Sequence, residues 1–292
     1  MIQEGFMPFR GLRTYYRIVG EGKKTPLVLL HGGPGSTHNY FEVLDCLATD
    51  GRKIISYDQI GCGKSPAGHR TDLFNREVWV EELTALLDYL HIEKAHILGQ
   101  SWGGMLLLEY VCKYKPATVQ SMILASTLPN SLLWGEEQHR MINQLPEDMK
   151  TAILDAERRN DFSSEEVIRA NEEYMLQHCA PKWPDDAPEC LCREKGEGML
   201  AYLTAWGPNE YTPSGNLKDY DVLEDLKDIT VPTLITSGTN DLCTPYIAKT
   251  MYDGIPGARW ELFRSSRHMA FAEENEKYVA LLRQWLAEND EK

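Results

Sequence analysis

The stretch Gly99-Gln100-Ser101-Trp102-Gly103 constrains this chain more than any other. An apolar run, Ala95-His96-Ile97-Leu98, leads into it, and an apolar-faced run over residues 105–114 leads out. The succession reads as strand, tight turn and helix with a serine at the turn, the context in which G-x-S-x-G presents a nucleophile. A serine so placed takes a strained backbone conformation, so its neighbours two before and two after must be small. Gly99 and Gly103 meet that need, and Gly104 lets the helix pack close to the sheet. Ser101 then stands above the strand ends at a helix start, where N–H groups and the helix dipole favour negative charge.

The rest of the chain supplies a sheet for that turn. Residues 6–20 read as a β-hairpin with its turn at 9–11. The apolar run Pro26-Leu27-Val28-Leu29-Leu30 has no alternation, as in strands covered on both faces. Residues 53–58 and 119–125 read the same way, and 77–90 have helical periodicity. Strands alternating with helices imply right-handed crossovers and a parallel sheet. Around Thr127 the rhythm breaks. Residues 128–228 lack strand signals, carry helix-like stretches at 136–143, 146–160 and 164–178, and include Pro181-Lys182-Trp183-Pro184. The rhythm returns with a strand at 231–238, a helix at 245–252, a strand at 260–263 and a closing helix that buries Tyr278, Leu281, Leu282 and Trp285. The reading is an α/β core over 1–127 and 229–292 with a helical cap inserted at 128–228. The last residues, 288–292, are expected to fray.

A serine hydroxyl needs a base to take its proton and a third group to orient the base. In this architecture they follow in the order Ser, Asp or Glu, His. Asp241 lies just past a buried strand, and His268 on the loop after the last strand. Both project from the sheet edge that carries Ser101. Glu273 and Asp253 compete less well with Asp241. An oxyanion hole needs two N–H donors. One is the amide of Trp102. The other comes from His31-Gly32-Gly33-Pro34-Gly35, where Gly33 is preferred, Gly32 is the alternative and Pro34 has no N–H.

Charge and cysteine usage narrow the partners. A net charge of −14 excludes nucleic acid, which needs a basic face, and suits solubility or attraction of a cationic group such as a free amino terminus. Seven scattered cysteines make no disulfide framework. The chain has no run of about 18 apolar residues, and its start lacks a basic segment followed by a hydrophobic core. These features predict a reduced, cytoplasmic protein without a membrane segment. Cys190-x-Cys192 near His178 and Cys179 fits no usual zinc spacing, so no metal is expected. The glycine loops match no phosphate-binding pattern, so no nucleotide or other cofactor is expected. Oligomeric state has no signature here.

With those residues placed, the chain resembles the α/β-hydrolase fold, a mostly parallel sheet with an inserted helical cap. It is most similar to the proline iminopeptidase family of serine peptidases, and within it to the tricorn-interacting aminopeptidase branch. The resemblance spans essentially the whole chain. It rests on His31-Gly32-Gly33-Pro34-Gly35, Asp58-Gln59-Ile60-Gly61-Cys62-Gly63-Lys64-Ser65, the Ser101 turn, Gly207-Pro208-Asn209-Glu210 and Gly238-Thr239-Asn240-Asp241. It implies release of an amino-terminal residue, often proline, from short peptides or amino-acid amides. By motif it assigns the substrate's free amine to Glu210, and a second acid to Glu273. Leu242 stands where some relatives carry an acid, Trp102 where an aromatic such as tyrosine is common, and Lys64 where arginine is usual. An esterase or lactonase of the same fold is the alternative, favoured by Leu242, and a non-enzymatic ligand sensor is a more distant one. Epoxide hydrolases and haloalkane dehalogenases place an aspartate where Ser101 stands.

Overall fold

Continuous apolar runs predict strands covered on both faces, and the structure, a computed structural model describing residues 1–290, has that arrangement. The sheet strands are β1 (Ile2–Phe9), β2 (Leu12–Val19), β3 (Lys24–Leu30), β4 (Arg52–Tyr57), β5 (Ala95–Gln100), β6 (Val119–Ala125), β7 (Thr233–Gly238) and β8 (Arg259–Phe263). They lie in the order β1-β2-β4-β3-β5-β6-β7-β8. The β1–β2 hairpin and the β2–β4 pair are antiparallel, and every pair from β4 to β8 is parallel. The hairpin begins earlier than its sequence pattern indicated, but its turn falls at Arg10 and Gly11, both with positive φ.

The helices are α1 (Arg76–Tyr89), α2 (Trp102–Glu109), α3 (Ser131–Ile142), α4 (Glu147–Arg159), α5 (Glu165–His178), α6 (Glu189–Cys192), α7 (Met199–Ala205), α8 (Pro245–Gly254), α9 (Ala270–Glu273) and α10 (Asn275–Asn289). They cover the sheet on both faces. Val28 and Leu30 of β3 pack with Leu83 and Leu86 of α1 and Leu106 of α2. Leu27 and Leu29 face the other way, into a layer with Leu44 and with Tyr278 and Leu282 of α10. Each fully buried leucine of these layers contributes about 1.5–3 kcal/mol.

Local chemistry set several boundaries the periodicity misplaced. α3 starts at Ser131 because the Asn130 side chain accepts from the Leu133 amide at 2.7 Å. α2 starts at Trp102, directly after the serine, and runs into a π-helical turn over Tyr110–Tyr114. Residues Asn39–Asp50 form a run of 3-10 turns between β3 and β4. The expected fraying at 288–292 does not extend to 288–290. α10 continues to Asn289, and Asp290 pairs with buried Arg52 at 2.9 Å and with His96 at 3.2 Å. Residues 291 and 292 lie outside the described residues. The helices α3 to α7 all lie between β6 and β7, and no described residue between those strands joins the sheet. No described helix is long and apolar enough to cross a membrane.

Candidate active site

β5 ends at Gln100, and the chain reverses at once into α2. Ser101 at that corner has φ +55° and ψ −122°, a conformation costing about 1–3 kcal/mol that surrounding structure must enforce. The Ser101 amide donates to the Ala125 carbonyl at 2.9 Å, and the Thr127 hydroxyl donates to the Ser101 carbonyl at 2.6 Å. A side chain at Gly103 would run into the Leu30 carbonyl, which is why the turn needs glycine there.

The loops after β7 and β8 bring the other two residues to the same edge. His268 Nδ1–H donates to Asp241 Oδ1 at 2.6 Å, which leaves Nε2 as the ring nitrogen not engaged by Asp241. Asp241 is buried and fully used. Its Oδ1 also accepts from the Cys243 amide at 2.8 Å, and its Oδ2 accepts from the Ser126 hydroxyl at 2.6 Å and the Gly238 amide at 3.0 Å. Ser101 and His268 line one cavity of about 160 Å³ without a hydrogen bond between them. Such bonds commonly tighten only when substrate is bound. Trp134 packs against the His268 ring in a T-shaped arrangement, with centroids 6.1 Å apart.

In the glycine loop after β3, Gly32 and Gly33 differ in how their amides are used. The Gly32 amide donates to the Tyr40 hydroxyl at 2.6 Å and is therefore occupied. The amides of Gly33 and Trp102 have no hydrogen-bond partner among the described residues. Gln59 links the Trp102 side chain to the start of the glycine loop. Its Oε1 accepts from the Trp102 indole at 2.7 Å, and its Nε2 donates to the His31 carbonyl at 2.9 Å. Burial drives the His31 pKa down to about 4. The ring is thus neutral, donating from Nδ1 to the Gly32 carbonyl at 2.9 Å and accepting from the Gln59 amide at Nε2 at 3.0 Å.

Glu210 enters the cavity from the long segment between β6 and β7. Asn209 holds that turn by accepting from the amides of Tyr211 and Thr212 at 3.0 and 2.8 Å, and Trp134 Nε1 donates to the Glu210 carbonyl at 2.6 Å. Glu210 Oε1 accepts from the Tyr202 hydroxyl at 2.8 Å. Burial raises the Glu210 pKa, opposed by that hydrogen bond and by the charges of His268 and Lys195. Glu273 does not line the cavity. It accepts from the Arg267 amide at 2.9 Å and pairs with the Arg267 guanidinium at 2.8 Å. Leu242 does line it. So do Gln100 of the serine motif and Cys179, and also Tyr40 and Lys195, which no motif singled out. Ser126, the partner of Asp241, carried a weak signal as the first residue after a buried strand.

A family profile described as the alpha/beta hydrolase fold matches residues 25–275. The chain is 56% identical over 291 residues to a proline iminopeptidase of Clostridium botulinum, covering 99% of both. Among solved structures, VinJ superposes with a TM-score of 0.90 at 32% identity, covering 98% of this chain and 99% of that one. A proline iminopeptidase of Mycobacterium smegmatis superposes with a TM-score of 0.88 at 31% identity, covering 98% of each. The fold, the serine turn and this likeness over nearly the full length agree, and the chain belongs to the proline iminopeptidase family of α/β-hydrolase enzymes.

Proposed function

We propose that the protein is a serine aminopeptidase that releases an N-terminal residue, proline among those accepted, from short peptides or amino-acid amides. The observation that carries this reading is the carboxylate of Glu210 in the same cavity as Ser101 and His268. A carboxylate beside the reacting serine fixes a substrate ammonium, so that attack falls on the first carbonyl of the chain. Blocked peptides would leave that buried acid unpaired.

In this reading Ser101 Oγ attacks the carbonyl carbon while His268 Nε2 takes its proton. Asp241 holds the imidazole and balances its positive charge. The amides of Gly33 and Trp102 bind the oxyanion, each worth roughly 3 kcal/mol in the transition state. His268 returns the proton to the departing amine, an acyl-enzyme remains, and water attacks it with the same base. No step calls on a metal or cofactor. Residues 128–228 act as a cap over the site. A cavity of about 160 Å³ is small beside the 300–1,000 Å³ typical of drug-sized ligands, which favours one or two residues of substrate. Glu273 serves by holding the His268 loop through Arg267. The motif around Glu210 supports placement near the tricorn-interacting aminopeptidases. Seven free thiols support a reducing, cytoplasmic setting.

The test is turnover of a panel of aminoacyl-naphthylamides by the wild type and Ser101→Ala. Hydrolysis of free-amine substrates that disappears in the variant is the expected result. Leu242 gives the cavity an apolar wall, and preferential turnover of blocked esters would move the reading to an esterase.

A further inference from the structure

The cavity is lined by one carboxylate and one ammonium side chain, Glu210 and Lys195. Lys195 is placed by its backbone. The Asn39 side chain donates to the carbonyl of Glu194 at 3.4 Å, and the Gly63 amide donates to that of Glu197 at 2.7 Å. Gly198 then packs against Gly35 so closely that a Cβ on either would strike the other's carbonyl oxygen. The segment is thus seated on the glycine loop that carries Gly33. Nearby Arg193 is consumed by Glu42 and Glu189. Lys195 has no carboxylate partner among the described residues. Its ammonium lies 5.9 Å from the centre of the Tyr40 ring, on the exposed side of the cavity. Lys195 and Glu210 line the same cavity as Ser101 and do not form an ion pair with each other.

We infer that Lys195 binds the α-carboxylate of the leaving residue, so that the site prefers zwitterionic dipeptides with both termini free. This rests on the aminopeptidase reading, since Glu210 must take the ammonium for Lys195 to meet the other end. The charge balance agrees. Leu242 leaves the cavity with one acid, and one acid with one ammonium complements a dipeptide, which also carries one charge of each sign. A longer peptide or an amide offers its ammonium but no carboxylate at that distance. An exposed lysine is a modest contributor, and a fivefold preference is the scale expected for such a pair.

The experiment compares kcat/KM for an X-Gly dipeptide with that for its C-terminal amide, X being the residue the naphthylamide panel ranks first. Wild type, Lys195→Met and Lys195→Arg are assayed at low and high salt. The wild type should favour the free acid by about fivefold, through KM, with the preference shrinking as salt rises. Lys195→Met should bring the ratio to about one, and Lys195→Arg should keep it. A wild-type ratio near one, a ratio that survives in Lys195→Met, or no cleavage of free dipeptides would overturn the inference. Failure of the aminopeptidase reading would appear separately, as equal turnover of N-acetylated and free-amine naphthylamides, which have no carboxylate.

Discussion

The Gly32 amide donates to the Tyr40 hydroxyl at 2.6 Å, and that hydroxyl donates its own hydrogen bond to Gln100 Oε1 at 2.9 Å. Gln100 Nε2 in turn donates to the His268 carbonyl at 3.4 Å. One tyrosine thereby joins the glycine loop to the residue before Ser101, and through it to the loop of His268. It also occupies the Gly32 amide, whereas the next amide, that of Gly33, has no partner among the described residues, as the proposed oxyanion role requires.

Tyr40→Phe keeps the ring and removes the junction. The Gly32 amide becomes a buried donor without a partner, at a cost of about 1–3 kcal/mol. We expect kcat to fall about tenfold with KM little changed, because the loss is in orienting the Gly33 donor. A raised KM with unchanged kcat would assign Tyr40 to substrate binding.

Ser126→Ala removes one of the four hydrogen bonds on Asp241. A bond to a buried carboxylate is worth about 1.5–3 kcal/mol, so Asp241 should hold His268 less firmly. The expected outcome of steady-state assays is a drop in kcat of about tenfold with KM within twofold of wild type. An unchanged kcat would mean that the amides of Gly238 and Cys243 suffice.

Glu210 must be ionised to pair with an ammonium, and burial raises its pKa above the ordinary carboxylate value. It therefore takes up a proton at a higher pH than a surface glutamate does. KM for a free-amine substrate should rise as pH falls through that raised pKa, and Glu210→Gln should lose this acid limb. A KM profile flat down to the ordinary carboxylate range would contradict the assignment.

Glu82 offers a test of stability away from the chemistry. Burial lifts its carboxyl from 4.5 to about 8, against hydrogen bonds from Thr14 and the Ile60 amide. The folded state thus holds the proton more tightly than the unfolded chain. The stabilisation is complete below about pH 4.5 and is lost as pH rises toward 8, in total on the order of a few kcal/mol. Between pH 6 and pH 8.5 the wild type should lose more in Tm than Glu82→Gln does. Equal losses would mean that Glu82 titrates as an ordinary carboxylate.

The sequence made the sheet legible because strands covered on both faces must be apolar throughout, and 119–125 is both the expected run and β6. Ser101, Asp241 and His268 were legible because chain order and strand ends suffice to place them. Tyr40 and Lys195 were not, because each reaches the cavity from a segment without a strand or motif. Tyr40 sits in 3-10 turns, and Lys195 in a strap held by tertiary contacts with Gly35, Asn39 and Gly63. Glu273 had the spacing of a substrate ligand, but six residues earlier in the chain Arg267 takes both of its oxygens.

The central claim is that Glu210 fixes a free amine so that Ser101 attacks the first carbonyl. Its most direct measurement is kcat/KM for the best aminoacyl-naphthylamide and its N-acetyl derivative, in wild type and Glu210→Gln. Removing one partner of a buried ion pair costs about 2–5 kcal/mol, so the account predicts a wild-type preference for the free amine of about 30-fold or more that collapses in the variant. Equal turnover of both substrates by the wild type, or a preference that survives Glu210→Gln, would contradict it.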